Sequence, residues 1–353
     1  MTEEIKKDIK PLHPALEHMK DSSIGMTVVI AGGRGFIGHN MVIRLLAHTS
    51  FNIVVLDDKS TGFNEHWSNR VKYFPCDIRN MLEVQRAVQT LAKLPHIEVE
   101  FLFNLACPAS PPNYQKDPIG TIFTNALGTS NLCAMARQLS CVLVQASTSE
   151  VYGDPQAPYL ESQPETYYGN VNNLGPRACY DNGKRIAETI VAEYHRSAGL
   201  DAKIARIFNT YGPHMNPDDG RVVSNFICQA LNKQPMTIYG DGSQTRSFCY
   251  VDDLIDGLLL LAYSDLPAVV PVNLGRPVNF TIRQLAELIH DEHGGLGDQL
   301  NIDPRPMPAD DPKVRNPDIT LAKKYLDWEP QVSLEEGIEK TFVYFAELLG
   351  KVD

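Results

Sequence analysis

Tyr180 and Lys184, in CYDNGKR, are the pair from which chemistry can start. Four positions apart on a helix, they share one face. A tyrosine of ordinary pKa, about 10, serves as a base near neutrality only where something favours its phenolate, and a neighbouring ammonium does so. Tyr-x-x-x-Lys arises by chance in many helices. What gives it weight is Ser147, Thr148 and Ser149, a hydroxyl cluster closing an apolar run about 30 residues earlier, able to hydrogen-bond an oxygen that loses or gains a proton.

A second constellation lies near the start. Gly32, Gly35 and Gly38, in AGGRGFIG, follow the apolar run TVVIA and open a helix-like stretch. Glycines there permit a tight turn and close backbone approach to a pyrophosphate, which a helix N-terminus favours through its free N–H groups and dipole. Asp57 ends the next apolar run, 19 residues after Gly38, where a carboxylate accepts hydrogen bonds from a ribose diol. An acid at that place favours NAD over NADP, although Arg34 and Lys59 leave room for an NADP phosphate. Asp77, in CDIRN, suits either the adenine amino group or a helix N-cap.

These residues need a scaffold, and the chain's periodicity describes one. From Met26, short apolar runs (TVVIA, NIVVLDD, VKYFPCDI, FLFNLA, CVLVQAS, AKIARIF) alternate with amphipathic stretches. That pattern predicts an α/β fold with a Rossmann-type doubly wound parallel sheet. The sheet is expected over residues 26–210, and residues 211–353, richer in turns, form a smaller C-terminal α/β lobe that binds substrate. The strand-like pieces MTIYG and VVPVNL could cross between lobes. Residues 1–25 read as an N-terminal extension, loosely attached.

Several classes are disfavoured. With 43 acidic and 32 basic residues the formal charge is −11, which gives no electrostatic reason to bind nucleic acid or an anionic membrane. Seven scattered cysteines without a Cys-x-x-Cys pair read as reduced cytoplasmic thiols. His290 and His293 share a helix face without a matching ligand set, so an exposed helix end is expected and no metal. No apolar run approaches the roughly 20 residues of a membrane span.

With the motifs ACPASPPNYQ, STSEVYGDP, YGNVN, CYDNGKR, ARIFNTYGP, DDGRVVSNF and QTRSFCYVDD added, the chain resembles the extended short-chain dehydrogenases over roughly residues 26–345. Within them it is most similar to the UDP-glucuronate decarboxylase (UDP-xylose synthase) branch. The resemblance implies a tightly bound NAD regenerated in each cycle, held by Gly32, Gly35, Phe36, Ile37, Gly38, Asp57, Asp77, Ile78, Leu105, Tyr180 and Lys184. It implies catalysis by Thr148, Ser149, Glu150, Tyr180, Lys184 and Arg246. A UDP-sugar would be bound by Pro108, Tyr114, Arg185, Asn209, Arg221, Val222, Tyr239, Arg246 and Arg315. It further implies a homodimer paired through helices near 120–138 and 180–198.

Thr148-Ser149-Glu150 bears on the branch, because related sugar 4,6-dehydratases carry Thr-Asp-Glu, whose aspartate supplies the proton for a departing hydroxyl. A 4-epimerase, a dehydratase and a non-catalytic NAD-binding protein are the alternatives. Glu150 could also be a structural carboxylate paired with an arginine. Three positions depart from the branch: Asn182 stands where glutamate is usual, Asn104 where histidine is usual, and Asp58 where asparagine is usual. Asn182 removes a charge within a turn of Tyr180 and Lys184, so it could signal a different sugar.

Overall fold

A computed structural model describes residues 10–22, 25–65, 68–93, 98–159, 161–293, 299–308, 312 and 314–351. Seven parallel strands form the central sheet: β1 (Met26–Ala31), β2 (Asn52–Asp57), β3 (Val71–Pro75), β4 (Glu98–Asn104), β5 (Val142–Thr148), β6 (Ala202–Ile207) and β7 (Pro271–Leu274). Their order is β7-β6-β5-β4-β1-β2-β3. The direction of winding reverses between β1 and β4, and in such sheets the crevice beyond the strand ends at the reversal takes ligands.

Both faces of the sheet are covered, as near-continuous apolar strands require. Alternation divides the side chains between two layers. Val28 and Ile30 enter one core with residues of α1 (Phe36–His48) and α6 (Val251–Tyr263). Val29 and Ala31 enter the other, with residues of α2 (Met81–Ala92), α3 and α4 (Ala178–Ala198). Helix α3 is composite, running Pro118–Phe123, then Thr124–Gly128 as a π-turn, then Thr129–Leu139.

The stretch VVPVNL crosses back, since β7 pairs with β6 as the sheet's last strand. Helix α6 likewise packs on β5, β6 and α1, so residues after 210 complete the first lobe's core. The stretch MTIYG does not cross: Met236–Tyr239 pairs with Ile302–Arg305 in the second lobe. There Thr245–Ser247 also lies between Asn279–Thr281 and Val314–Arg315, making Arg246 and Arg315 register partners. Helix α5 (Val222–Leu231) borders this lobe.

Two expectations need correction. From Lys10 onward the N-terminal extension is docked: Leu12, Leu16 and Met19 are buried in the larger core. Buried Arg44 of α1 donates to the carbonyls of Lys10 (2.8 Å) and Pro11 (2.9 Å) and pairs with Asp256 at 2.6 Å, while Lys10 Nζ reaches Asp253 at 2.6 Å. The physical cause is an apolar spacing of four and three within a charged stretch, which aligns Leu12, Leu16 and Met19 on one side. Residues 1–9 lie outside the described residues. The helix end carrying His290 and His293 is packed rather than exposed, with His293 stacked on Phe342 at 4.0 Å.

Candidate active site

The site begins with the glycine turn. Gly32 has φ +82°, and a Cβ there would lie 2.8 Å from the backbone of Leu105 and Ala106. A Cβ on Gly38 would fall 2.3 Å from the Gly32 carbonyl, so this glycine serves helix–turn packing. Gly35 caps α1 with no side-chain hydrogen bond, which leaves the first N–H groups of the helix to a ligand. The cradle therefore fits the pyrophosphate of a dinucleotide on its own geometry.

Asp57 ends β2 behind this turn and is buried. Its carboxylate accepts from the N–H of Arg34 (2.9 Å) and of Lys59 (2.8 Å). Burial raises its pKa above the ordinary aspartate value, and the two N–H groups partly oppose that. Arg34 is turned to Glu65 at 3.1 Å and lies over the Tyr73 ring, as does Lys59. Asp77 is engaged by the guanidinium and N–H of Arg79, which lower its pKa against the opposing push of burial. The N-cap of α2 is Asn80.

Strand β5 delivers the hydroxyl cluster to the same end of the sheet, and α4 returns antiparallel beside it. Ser147 Oγ donates to Glu188 of α4, which also holds Arg206, so this hydroxyl ties strand to helix. Thr148 then stands as the hydroxyl beside Tyr180, and its influence favours the phenolate. Lys184 lies 5.9 Å from the Tyr180 ring centroid, and its ammonium donates to the Ala146 carbonyl at 3.0 Å. Burial raises the Tyr180 pKa, the nearby Cys107 adds to this, and Arg221 and Thr148 oppose it. Tyr180 becomes a base only where positive charge accumulates beside it.

Two features that sequence reasoning passed over shape this centre. Asn125, in the π-turn of α3, donates to Cys107 Sγ at 3.1 Å and packs where Gly183 of α4 has no side chain. Arg177, immediately before α4, pairs with Glu150 at 2.7 Å, and Arg315 pairs with the same carboxylate oxygen at 2.9 Å. Burial alone would raise the Glu150 pKa; Arg315 and Arg177 outweigh it and hold the group well below the usual carboxylate range. Arg177 lies 27 residues after Glu150, a separation with no period, so no sequence signal pointed to the pair.

A cavity of about 530 Å³ joins these parts. Gly32, Gly35, Phe36, Ile37, Gly38 and Leu105 line it together with Thr148, Ser149, Glu150, Tyr180 and Lys184. Tyr114, Asn209, Arg221, Val222, Tyr239 and Arg246 line it as well. Asp57, Asp77, Ile78, Pro108, Arg185 and Arg315 stand outside this lining. Arg185 is one helix step round from Lys184 and donates to the Val151 and Tyr168 carbonyls, both at 3.0 Å. Arg315 reaches the Gly153 carbonyl at 2.6 Å and stands behind Glu150. Both arginines brace the turn after β5.

The departures also acquire places. Asn104 is buried and donates to Gln145 of the adjacent strand at 2.8 Å. Asn182 lines a separate surface hollow with Ile122, Ala126, Cys179 and Ile186. Two residues from both Tyr180 and Lys184, it is turned some 200° from each around the helix. The missing charge therefore faces away from the catalytic pair, which removes the reason to read it as a sign of a different sugar. Among the described residues no group of three or more His, Cys, Asp or Glu side chains could hold a metal, and no helix is long and apolar enough to cross a membrane. All seven cysteines are free thiols.

Residues 28–275 match the model of the NAD dependent epimerase/dehydratase family. The chain is 47% identical to UDP-glucuronic acid decarboxylase 2 of Arabidopsis thaliana over 315 residues, which is 89% of this chain and 67% of the relative. It is 43% identical to UDP-glucuronic acid decarboxylase 5 of the same plant, covering 93% of this chain and 92% of that one. A UDP-glucose 4-epimerase from Thermus thermophilus, solved in complex with NAD, superposes with a TM-score of 0.79 at 28% identity, covering 91% of this chain and 99% of that one.

Proposed function

The chain belongs to the NAD dependent epimerase/dehydratase family, and we propose that it is a carboxy-lyase that converts UDP-glucuronate to UDP-xylose. The observation that carries this reading is Glu150 clamped by two arginines in the cavity that also holds Tyr180, Lys184 and Thr148. The relatives named as UDP-glucuronic acid decarboxylases, matched over most of the chain, support it independently.

NAD held in this cradle would supply a hydride acceptor and donor for the sugar C4. The glycine turn and the α1 N-terminus would hold its pyrophosphate, and Asp57 would accept from a ribose diol. Tyr180 takes the proton of the C4 hydroxyl, Lys184 supplies the positive charge that favours phenolate, and Thr148 steadies the reacting oxygen. A ketone at C4 lies β to the C6 carboxylate, so the C5–C6 bond breaks with its electron pair passing into an enolate and CO2 leaving. The Tyr180 phenol and the Thr148 hydroxyl then donate to the enolate oxygen, C5 takes a proton from water, and as hydride returns to C4 the oxygen there recovers its proton from the Tyr180 phenol. Arg221 would pair with the diphosphate, where guanidinium–phosphate pairing is strong, and Arg246 would hold the sugar carboxylate and position the water that protonates C5.

NAD remains tightly bound, because each cycle returns it to its starting oxidation state. The protein acts in the cytoplasm, a reading supported by its seven free thiols. Two copies pair through α3 and α4: Ile119, Ile122, Phe123, Leu127 and Ile186 are exposed apolar residues of those helices.

The deciding experiment is mass spectrometry of UDP-glucuronate incubated with the protein and NAD. Loss of one CO2 with recovery of a pentose supports the reading. Unchanged mass with a new retention time establishes a 4-epimerase instead, and loss of water a dehydratase.

A further inference from the structure

Glu150 poses an electrostatic problem for the substrate proposed above. A buried, ionised side chain on the wall of a cavity repels a second carboxylate, and two such groups in one site drive one of them to take up a proton. Arg315 alone would neutralise Glu150, but it is spent on the Gly153 and Val314 carbonyls as well and stands behind the wall. Arg177 lies on the wall itself and donates at 2.7 Å to the oxygen Oε2 that Arg315 also holds. Both short bonds converge on Oε2, whereas Oε1 has, among the described residues, one longer contact, with Arg315 at 3.4 Å.

We propose that Arg177 is a positioning residue whose guanidinium offsets the charge of Glu150, so that the cavity admits a sugar bearing its own carboxylate. The inference rests on the decarboxylase reading and assigns one element of its selectivity. The charged neighbours fit the role. Arg315 approaches Glu150 from the second lobe, Arg177 from the foot of α4, and Asp181 faces Arg177 from within that helix. The result is an alternating row in which Arg177 is the link between two acids. The Tyr114 hydroxyl, buried beside this row and stacked on Tyr180 at 5.1 Å, has no hydrogen-bond partner among the described residues, which leaves one donor for an incoming acceptor.

The test compares dissociation constants of UDP-glucuronate and UDP-xylose, measured calorimetrically on the full chain with NAD present and with Tyr180→Phe in every variant, so that binding is not accompanied by turnover. Arg177→Met is expected to weaken UDP-glucuronate by about tenfold or more and UDP-xylose by less than about threefold, with Arg177→Lys recovering part of the loss. Because the role is to offset Glu150, Arg177→Met in a Glu150→Gln background should cost UDP-glucuronate less than about threefold. A loss shared equally by both ligands, or one undiminished in the Glu150→Gln background, overturns the proposal. Should Arg177→Met alone not fold, the double variant still carries the comparison, since it leaves no unpaired acid at position 150. Failure of the decarboxylase reading is a separate signal, an unchanged mass of UDP-glucuronate with the wild-type protein.

Discussion

Replacing Leu16 by alanine tests whether the N-terminal segment is part of the fold. The side chain is fully buried, on a short 3-10 turn (Pro14–Leu16) packed against α6. Removing three carbons loses about 2.4 kcal/mol of transfer free energy at ~0.8 kcal/mol per methylene. A residual cavity raises the total towards the middle of the range of about 2–5 kcal/mol seen for Leu→Ala in cores. The loss has a ceiling, because a segment anchored at one end can peel away at its own docking free energy without unfolding the rest. Urea unfolding followed by Trp328 fluorescence suits the measurement. That indole is buried and donates to the Asp253 carbonyl, and Asp253 also receives Lys10. The expected outcome is a destabilisation of about 3 kcal/mol or a separate early transition, with faster tryptic cleavage at Lys20. A change below about 0.5 kcal/mol, within the range of surface substitutions, would refute the reasoning.

Other predictions follow from the site. Tyr180→Phe should lower kcat by about 10²–10⁴-fold while NAD still co-purifies, and retained turnover would remove Tyr180 from the chemistry. Asn182→Glu should leave kcat/KM within about threefold, because helix geometry turns position 182 away from the catalytic pair; a larger change means that the charge does reach the site. NAD affinity should fall on acidification at a pH where an ordinary aspartate is still ionised. The sign follows from Asp57, whose raised pKa makes it take up a proton early and so stop accepting from the ribose; Asp57→Asn should abolish that dependence. Ile122→Glu should shift the sedimenting species to half its mass, and an unchanged mass would place any dimer contact elsewhere.

The parts of this architecture that could be read in advance share one property: their signal is local. Strand and helix periods announced β1 to β6, and the turn at Gly32–Gly38 needed only its own neighbours to be recognised. The second half was less legible because β7 is four residues long and takes its identity from β6, some 65 residues before it. The docking of Leu12, Leu16 and Met19 was hidden because their neighbours are charged and their partners lie on α6. In the site, Tyr180, Lys184 and Thr148 were reachable through spacing alone. Arg177 was not, since the spacing of Glu150 from Arg177 and Arg315 carries no period. Asn182 shows the converse, a position that looks close to the chemistry in sequence and faces the other way on its helix.

The return of β7 to the first lobe bears on the order in which the protein can be made. A chain leaving the ribosome folds its N-terminal part first, but here β6 remains an open edge of a seven-stranded sheet until residues 271–274 have emerged. Until then the nascent sheet presents unpaired backbone groups to whatever strand is nearby, including a copy on a neighbouring ribosome. The cofactor cradle, built largely from residues 32–57, stands on a core that is sealed only once residue 274, more than 200 positions later, has been made.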